Sequence, residues 1–112
     1  MKKFILLLLI LTTTCTAQDF PSGLVVVEFN ASFNKSNEVQ WLPKLTDCEV
    51  QRVDIAADSR WSSEYKIVVV PTLLVLNNNE EVKRFQANIM MSMETTRKEV
   101  QEALDEIVME AF

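Results

Sequence analysis

Apolar positions along this chain follow two periods, one suited to strands and one to helices. Leu24 to Asn30 is apolar at nearly every position, the pattern of a central strand covered on both faces. Glu49 to Ile55 predicts a second strand, and the dense buried-strand run from Val68 to Leu76 holds a third, opened by Pro71. Asn77-Asn78-Asn79 then marks a turn, since asparagine tolerates left-handed backbone, and Glu81 to Phe85 returns as a fourth strand. Helical spacing takes over elsewhere. Val39, Leu42 and Leu45 follow the polar turn Asn34-Lys35-Ser36-Asn37, and Pro43 should kink that helix by removing a hydrogen bond. Asp58 to Tyr65 predicts a short helix capped by Asp58 or Ser59. A last helix opens on a Thr96/Glu99 capping box and carries Val100, Ala103, Leu104, Ile107 and Val108 on one face. The order strand, helix, strand, helix, strand, strand, helix predicts an α/β layered sandwich.

Pro71 interrupts this picture, because it stands where the most apolar strand begins. Proline cannot donate to a ladder and is confined to edges, strand starts or bulges. A cis Val70-Pro71 bond making a tight turn accounts for it economically. Such a turn leaves the main-chain groups of Val70 free to pair with something else, and so points towards a binding edge.

The first residues have a different purpose. Lys2 and Lys3, the apolar stretch Phe4 to Leu11 and the small-residue exit Thr12 to Ala17 form the pattern of an export signal. The apolar run is far shorter than the ~20 residues of a spanning helix. Cleavage after Ala17 gives residues 1–17 as signal and 18–112 as one domain, placed in the periplasm or cell envelope. The other processing route acylates Cys15 and anchors the protein to lipid, although Thr14 is a poor residue to precede the acylated position. Membrane association is expected only in that case.

Removing Lys2 and Lys3 leaves 9 basic against 16 acidic residues, a net charge of −7. An acidic domain without a basic stripe is a poor partner for nucleic acid. Gly23 is the only glycine, which excludes a glycine-rich phosphate loop. The absence of histidine excludes Ser-His and Cys-His dyads and His-based zinc sites. No cofactor and no metal are expected. The domain keeps Cys48 alone, so it has no intramolecular disulfide to form.

Three stretches together resemble the thioredoxin family. Val26-Val27-Glu28-Phe29-Asn30-Ala31-Ser32-Phe33 is similar to that family's strand leading into its active-site loop. Val53-Asp54-Ile55 is similar to its next core strand, and Tyr65-Lys66-Ile67-Val68-Val69-Val70-Pro71-Thr72-Leu73-Leu74 to its Tyr-Gly-Ile, Ile-Pro-Thr-Leu region. The resemblance covers about Leu24 to Met109. It implies a thioredoxin-like fold with a four-stranded mixed central sheet flanked by three helices, in a minimal version without the family's first strand and helix. It also locates a departure. Phe33 stands where the family has tryptophan, and Asn34-Lys35-Ser36-Asn37 fills the place of the Cys-x-x-Cys redox motif. A register one residue further along puts Lys35 and Glu38 at the two sites instead. Neither register supplies a thiol, and dithiol exchange needs an attacking thiolate and a resolving partner.

The remaining candidates each have a plain alternative. The resemblance aligns Glu28 with the family's buried acid and Arg52 with its basic neighbour, and a structural ion pair is favoured over a proton-transfer role. Cys48 suits a buried small hydrophobe better than a reactive thiol. Trp41, Trp61 and Tyr65 suit packing better than ligand stacking. Ile89-Met90-Met91-Ser92-Met93 either packs at a helix start or forms an adaptable apolar contact surface, which methionine suits. The expected binding groove therefore comprises Phe33, Asn34, Lys35, Ser36, Asn37, Val70, Pro71, Ile89, Met90 and Met91. Its expected partner is a protein or extended peptide. Three classes of function compete: a redox-silent, chaperone-like or protein-binding module, which is favoured; a small structural subunit of an envelope complex; and, least favoured, an enzyme working through the lone thiol of Cys48 or through an unrecognised polar site.

Overall fold

Strand β1 (Leu24–Asn30) is buried along its whole interior and sits at the centre of the molecule. The computed structural model describes residues 19–111; the expected signal, with Cys15, lies outside them. β2 (Glu49–Asp54) runs parallel to β1 on one side, and β3 (Thr72–Asn77) runs antiparallel on the other. β4 (Glu80–Gln86) closes a hairpin with β3, giving one mixed sheet in the order β2-β1-β3-β4. Helices α1 (Arg60–Glu64) and α2 (Arg97–Glu110) cover opposite faces.

Side chains alternate across a strand, so the continuous apolar runs feed two cores. Val25, Val27, Phe29, Leu74 and Leu76 face one side, covered by Phe20, Ile67 and Val70 and by Trp61 and Tyr65 at α1. Val26, Leu73 and Val75 face the other, covered by Val39, Leu42 and Leu45 and by Val100 and Leu104 of α2. Trp41, Trp61 and Tyr65 thus serve packing. Phe20, Phe29, Trp61 and Tyr65 form an aromatic cluster with ring centroids 5.5 to 6.3 Å apart.

Local chemistry sets the boundaries. The β3–β4 turn carries left-handed Asn78 and Asn79, at φ of 54° and 67°. Their side chains also hold the N-terminal segment: Asn79 Oδ1 accepts from the Phe20 N–H at 2.9 Å, and Asn78 Oδ1 accepts from the Gly23 N–H at 2.8 Å. Gly23 takes φ +85° there, which favours the residue without a Cβ. The capping box of α2 is present in full, with Thr96 accepting from the Glu99 N–H and the Glu99 side chain accepting from the Thr96 N–H. The Val70-Pro71 peptide is cis.

One expected element takes another form. The kinked helix after β1 is two short 3-10 helices, Ser32–Asn37 and Leu42–Lys44, rather than an α-helix. Val39, Leu42 and Leu45 are spaced by three, which suits the three-residue turn of a 3-10 helix. Pro43 adds a second cause. In an α-helix its missing N–H would leave the Val39 carbonyl unpaired. Here that carbonyl accepts from the Arg52 guanidinium instead.

Candidate functional site

The end of the sheet from which β1 exits and β3 enters gathers three loops: Ala31–Glu38, Lys66–Pro71 and Ala87–Met93. Two polar ties organise them.

The first tie is the Glu28 carboxylate, which is 1% exposed on β1. Its Oε2 accepts from the Val39 N–H at 2.7 Å, and its Oε1 accepts from Arg52 Nε at 2.9 Å. Cα register places Glu28 directly beside Arg52 across β1 and β2. Arg52 also reaches the Val39 carbonyl and approaches Glu38 at 3.5 Å. Both main-chain groups of Val39 are therefore held by side chains. The pair is buried on one side only, because the Arg52 side chain remains 40% exposed. Burial pushes the Glu28 carboxyl above its ordinary value, with the Val39 N–H and then Arg52 opposing that rise.

The second tie is Asn34. The sequence places it in the groove lining, but it is 4% exposed and its side chain points inward. Its Nδ2 donates to Asn30 Oδ1 and to the Met91 carbonyl, each at 3.1 Å, and lies 3.5 Å from the Val70 carbonyl. Its Oδ1 accepts from Asn37 Nδ2 at 2.9 Å. One amide thus touches all three loops. An amide nitrogen has two protons, so the two short contacts use both and Val70 keeps only the long one. The Val70 N–H has no hydrogen-bond partner among the described residues.

Around these ties the loops push apolar side chains outward. Phe33 is 73% exposed, Ile89 97% and Met90 74%, and Met91 and Val68 are exposed as well. Lys35, Ser36 and Asn37 lie beside Phe33 at the surface, while Val70 and Pro71 form the buried floor. Sequence reasoning misses two contributors. The apolar run hides Val68 in a buried-strand pattern, yet the strand begins only at Thr72. Asn88 builds the Met loop: its Oδ1 accepts from the Met90 and Ser92 N–H groups at 2.9 and 3.1 Å, and Met91 takes φ +59°. An asparagine just ahead of an apolar run is the signal that could have found it.

Other chemistry is sparse. Cys48 is half-buried against the α2-side core, and burial, followed by the Asp47 carboxylate, raises its thiol. That lowers its thiolate fraction and its reactivity. No cluster of three or more His, Cys, Asp or Glu placed to hold a metal occurs among the described residues. A cleft of about 250 Å³ lies beside Glu28 and Arg52, with Lys35, Glu38 and Asp54 on its rim. It does not include Val70 or the apolar loop tips.

No protein-family model matches the chain, and no curated protein sequence does. Solved structures do. A mutant thioredoxin from Halobacterium salinarum is 20% identical, with a TM-score of 0.61 over 76% of this chain and 74% of that one. Schistosoma mansoni thioredoxin is 21% identical, with a TM-score of 0.59 over 76% and 77%. Thioredoxin 1 from Thermosipho africanus is 20% identical, with a TM-score of 0.59 over 78% of this chain and 97% of that one. The chain has a thioredoxin-like fold. Within that fold, Asn34 and not a thiol lies under the Val70 carbonyl.

The Glu28 clamp yields two expected outcomes. Arg52→Met, which leaves the carboxylate with the Val39 N–H alone, should cost ~1.5–3 kcal/mol, below the figure for a fully buried pair because Arg52 is partly solvated. The pair Glu28→Gln/Arg52→Met should lose less than the sum of the single changes, and additive losses in denaturant unfolding would contradict the coupling. The second outcome concerns pH. The folded protein holds the Glu28 proton more tightly than the unfolded chain does. This group's stabilisation is therefore full below the ordinary glutamate value and lost as pH rises through the raised one. The stability difference between the parent and Glu28→Gln should fall as pH rises above the ordinary glutamate value, and a difference that stays flat or rises contradicts the assignment.

Proposed function

We propose that this chain is an exported, redox-silent thioredoxin-like module that binds a protein segment at the loop cluster around Pro71. One observation carries the proposal. Phe33, Val68, Ile89, Met90 and Met91 lie exposed on three loops that a single buried amide ties together, above a main-chain N–H that has no partner among the described residues. Large exposed apolar groups gathered in one place mark interaction sites. An unpaired N–H beside them suits the main chain of an extended segment, which would take its direction from Val70 and its affinity from the apolar tips. Methionine and phenylalanine adapt to varied side chains, which fits a chaperone-like or broad protein contact.

The redox-silent part rests on residue types. Asn34 and Asn37 fill the loop where exchange chemistry would need two thiols, and Cys48 packs against the α2-side core. Export rests on the Lys2-Lys3, Phe4 to Leu11 and Thr12 to Ala17 pattern. A contact of one short segment is small, so binding should be weak and transient.

A photo-reactive residue placed at Phe33 or at Ile89 in the native host should give discrete adducts. The same group at Val82, exposed on β4, should not. Equal adducts from Val82, or none from the loop positions, would contradict the site. Reduction of insulin by the purified protein would overturn the redox-silent part independently.

A further inference from the structure

The outer edge of β2 carries a second inference, independent of the loop cluster. β2 is the last strand on its side of the sheet, and among the described residues nothing pairs with its free edge. The Ile55 N–H donates to the Asn30 carbonyl at 2.9 Å, so main-chain groups at this residue face β1. Main-chain direction alternates along a strand, so Val50, Arg52 and Asp54 turn theirs to the open side, where the Asp54 carbonyl accepts from the Ala57 N–H at 3.2 Å and keeps its second lone pair.

The two edges of the sheet are treated differently. Both carry exposed charges, Glu80, Glu81 and Lys83 on β4 and Glu49, Arg52 and Asp54 on β2, but the register of β4 with β3 shifts at Val75 and Leu76. β2 pairs with β1 in unbroken register over Glu49 to Asp54. It also leaves both cores unfinished, with Val53 and Ile55 half-buried on one face and Cys48 and Val50 on the other.

Charge identifies the occupant. Arg52 donates hydrogen bonds to Glu28 and Val39 and lies 3.5 Å from Glu38, which leaves N–H donors unused. Asp54 Oδ1 accepts from the Ala56 N–H, and Oδ2 has no partner among the described residues. Arg52 and Asp54 share a face, two residues apart on either side of Val53. Arg52-Val53-Asp54 is therefore complementary to itself when reversed.

We propose that the free edge of β2 is a self-association surface, on which a second copy of this chain adds its own β2 antiparallel about a two-fold axis at Val53. Each Arg52 then faces Asp54 of the second copy across a hydrogen-bonded pair, and the two Val53 side chains meet at the axis. An axis at Arg52 would oppose two guanidinium groups, and an axis at Gln51 would leave Arg52 facing Val50. Only the Val53 register joins unlike charges. The strands are short, so the dimer is weak, with a Kd expected in the range of about 10 μM to 1 mM.

Sedimentation of the full chain across that range should show reversible dimerisation, and Asp54→Lys should weaken it by about tenfold or more. Cysteine trapping reads the register directly. In a Cys48→Ser background with oxidised glutathione as oxidant, Val53→Cys should form a covalent dimer. Non-hydrogen-bonded pairs bring Cα atoms to about 4.5 Å, within disulfide reach. Gln51→Cys, on the same face but opposite Ile55 of the second copy, should not. A chain that stays monomeric throughout, whether the edge is left open or taken by its own residues 1–18, overturns the proposal. So does trapping at Gln51 in place of Val53, or dimerisation that Asp54→Lys leaves unchanged.

Discussion

The carboxylate of Glu28 is the constraint on which the rest of this structure depends. A buried carboxylate must be compensated, and here it is compensated by the main chain of the segment that follows β1. Val39 gives its N–H to Glu28 and its carbonyl to Arg52, so neither group enters an α-helix. The segment can then run as two 3-10 helices with Val39, Leu42 and Leu45 still packed under α2. Pro43 makes the arrangement coherent, because it could never have satisfied the Val39 carbonyl. Strand pairing, loop path and core packing meet at this one clamp.

Fixing the Ala31–Glu38 loop from below lets Asn34 fix the other two from inside. Its amide bonds reach the Met91 carbonyl, Asn30 and Asn37, and it sits under Val70. A polar side chain buried in this way is stable only when its hydrogen-bonding capacity is used, and here the donors and the acceptor are all engaged. The consequence is outward. With the amides turned in, Phe33, Val68, Ile89, Met90 and Met91 are left at the surface, where their apolar area has no internal use. At these loops the surface is apolar, above a buried polar tie.

Much of the fold is legible in the sequence. Leu24–Asn30 coincides with β1 because a strand buried on both faces needs apolar residues at successive positions. The Thr96/Glu99 box and the Asn78-Asn79 turn are legible because their chemistry is local. The Ser32–Lys44 region is not, since a spacing of three is shared by two kinds of helix and the deciding contacts come from β1 and β2. Asn34 escapes for a related reason. Four polar residues in a row suggest a solvated turn, and only the acceptors on distant loops make one of them a buried tie. Val68 shows the opposite error, an apolar residue that reads as core although the chain turns before the strand starts.

Amide hydrogen exchange in an Asn34→Ala variant tests most directly whether one buried amide holds the site together. Exchange should be faster at the backbone N–H groups of residue 34, Glu38 and Met91, whose bonds to Ala31, Lys35 and Asn88 belong to the tied loops, with β1 and β3 protected as in the parent. Unchanged protection in the loops, or a uniform loss across the whole sheet, would contradict it.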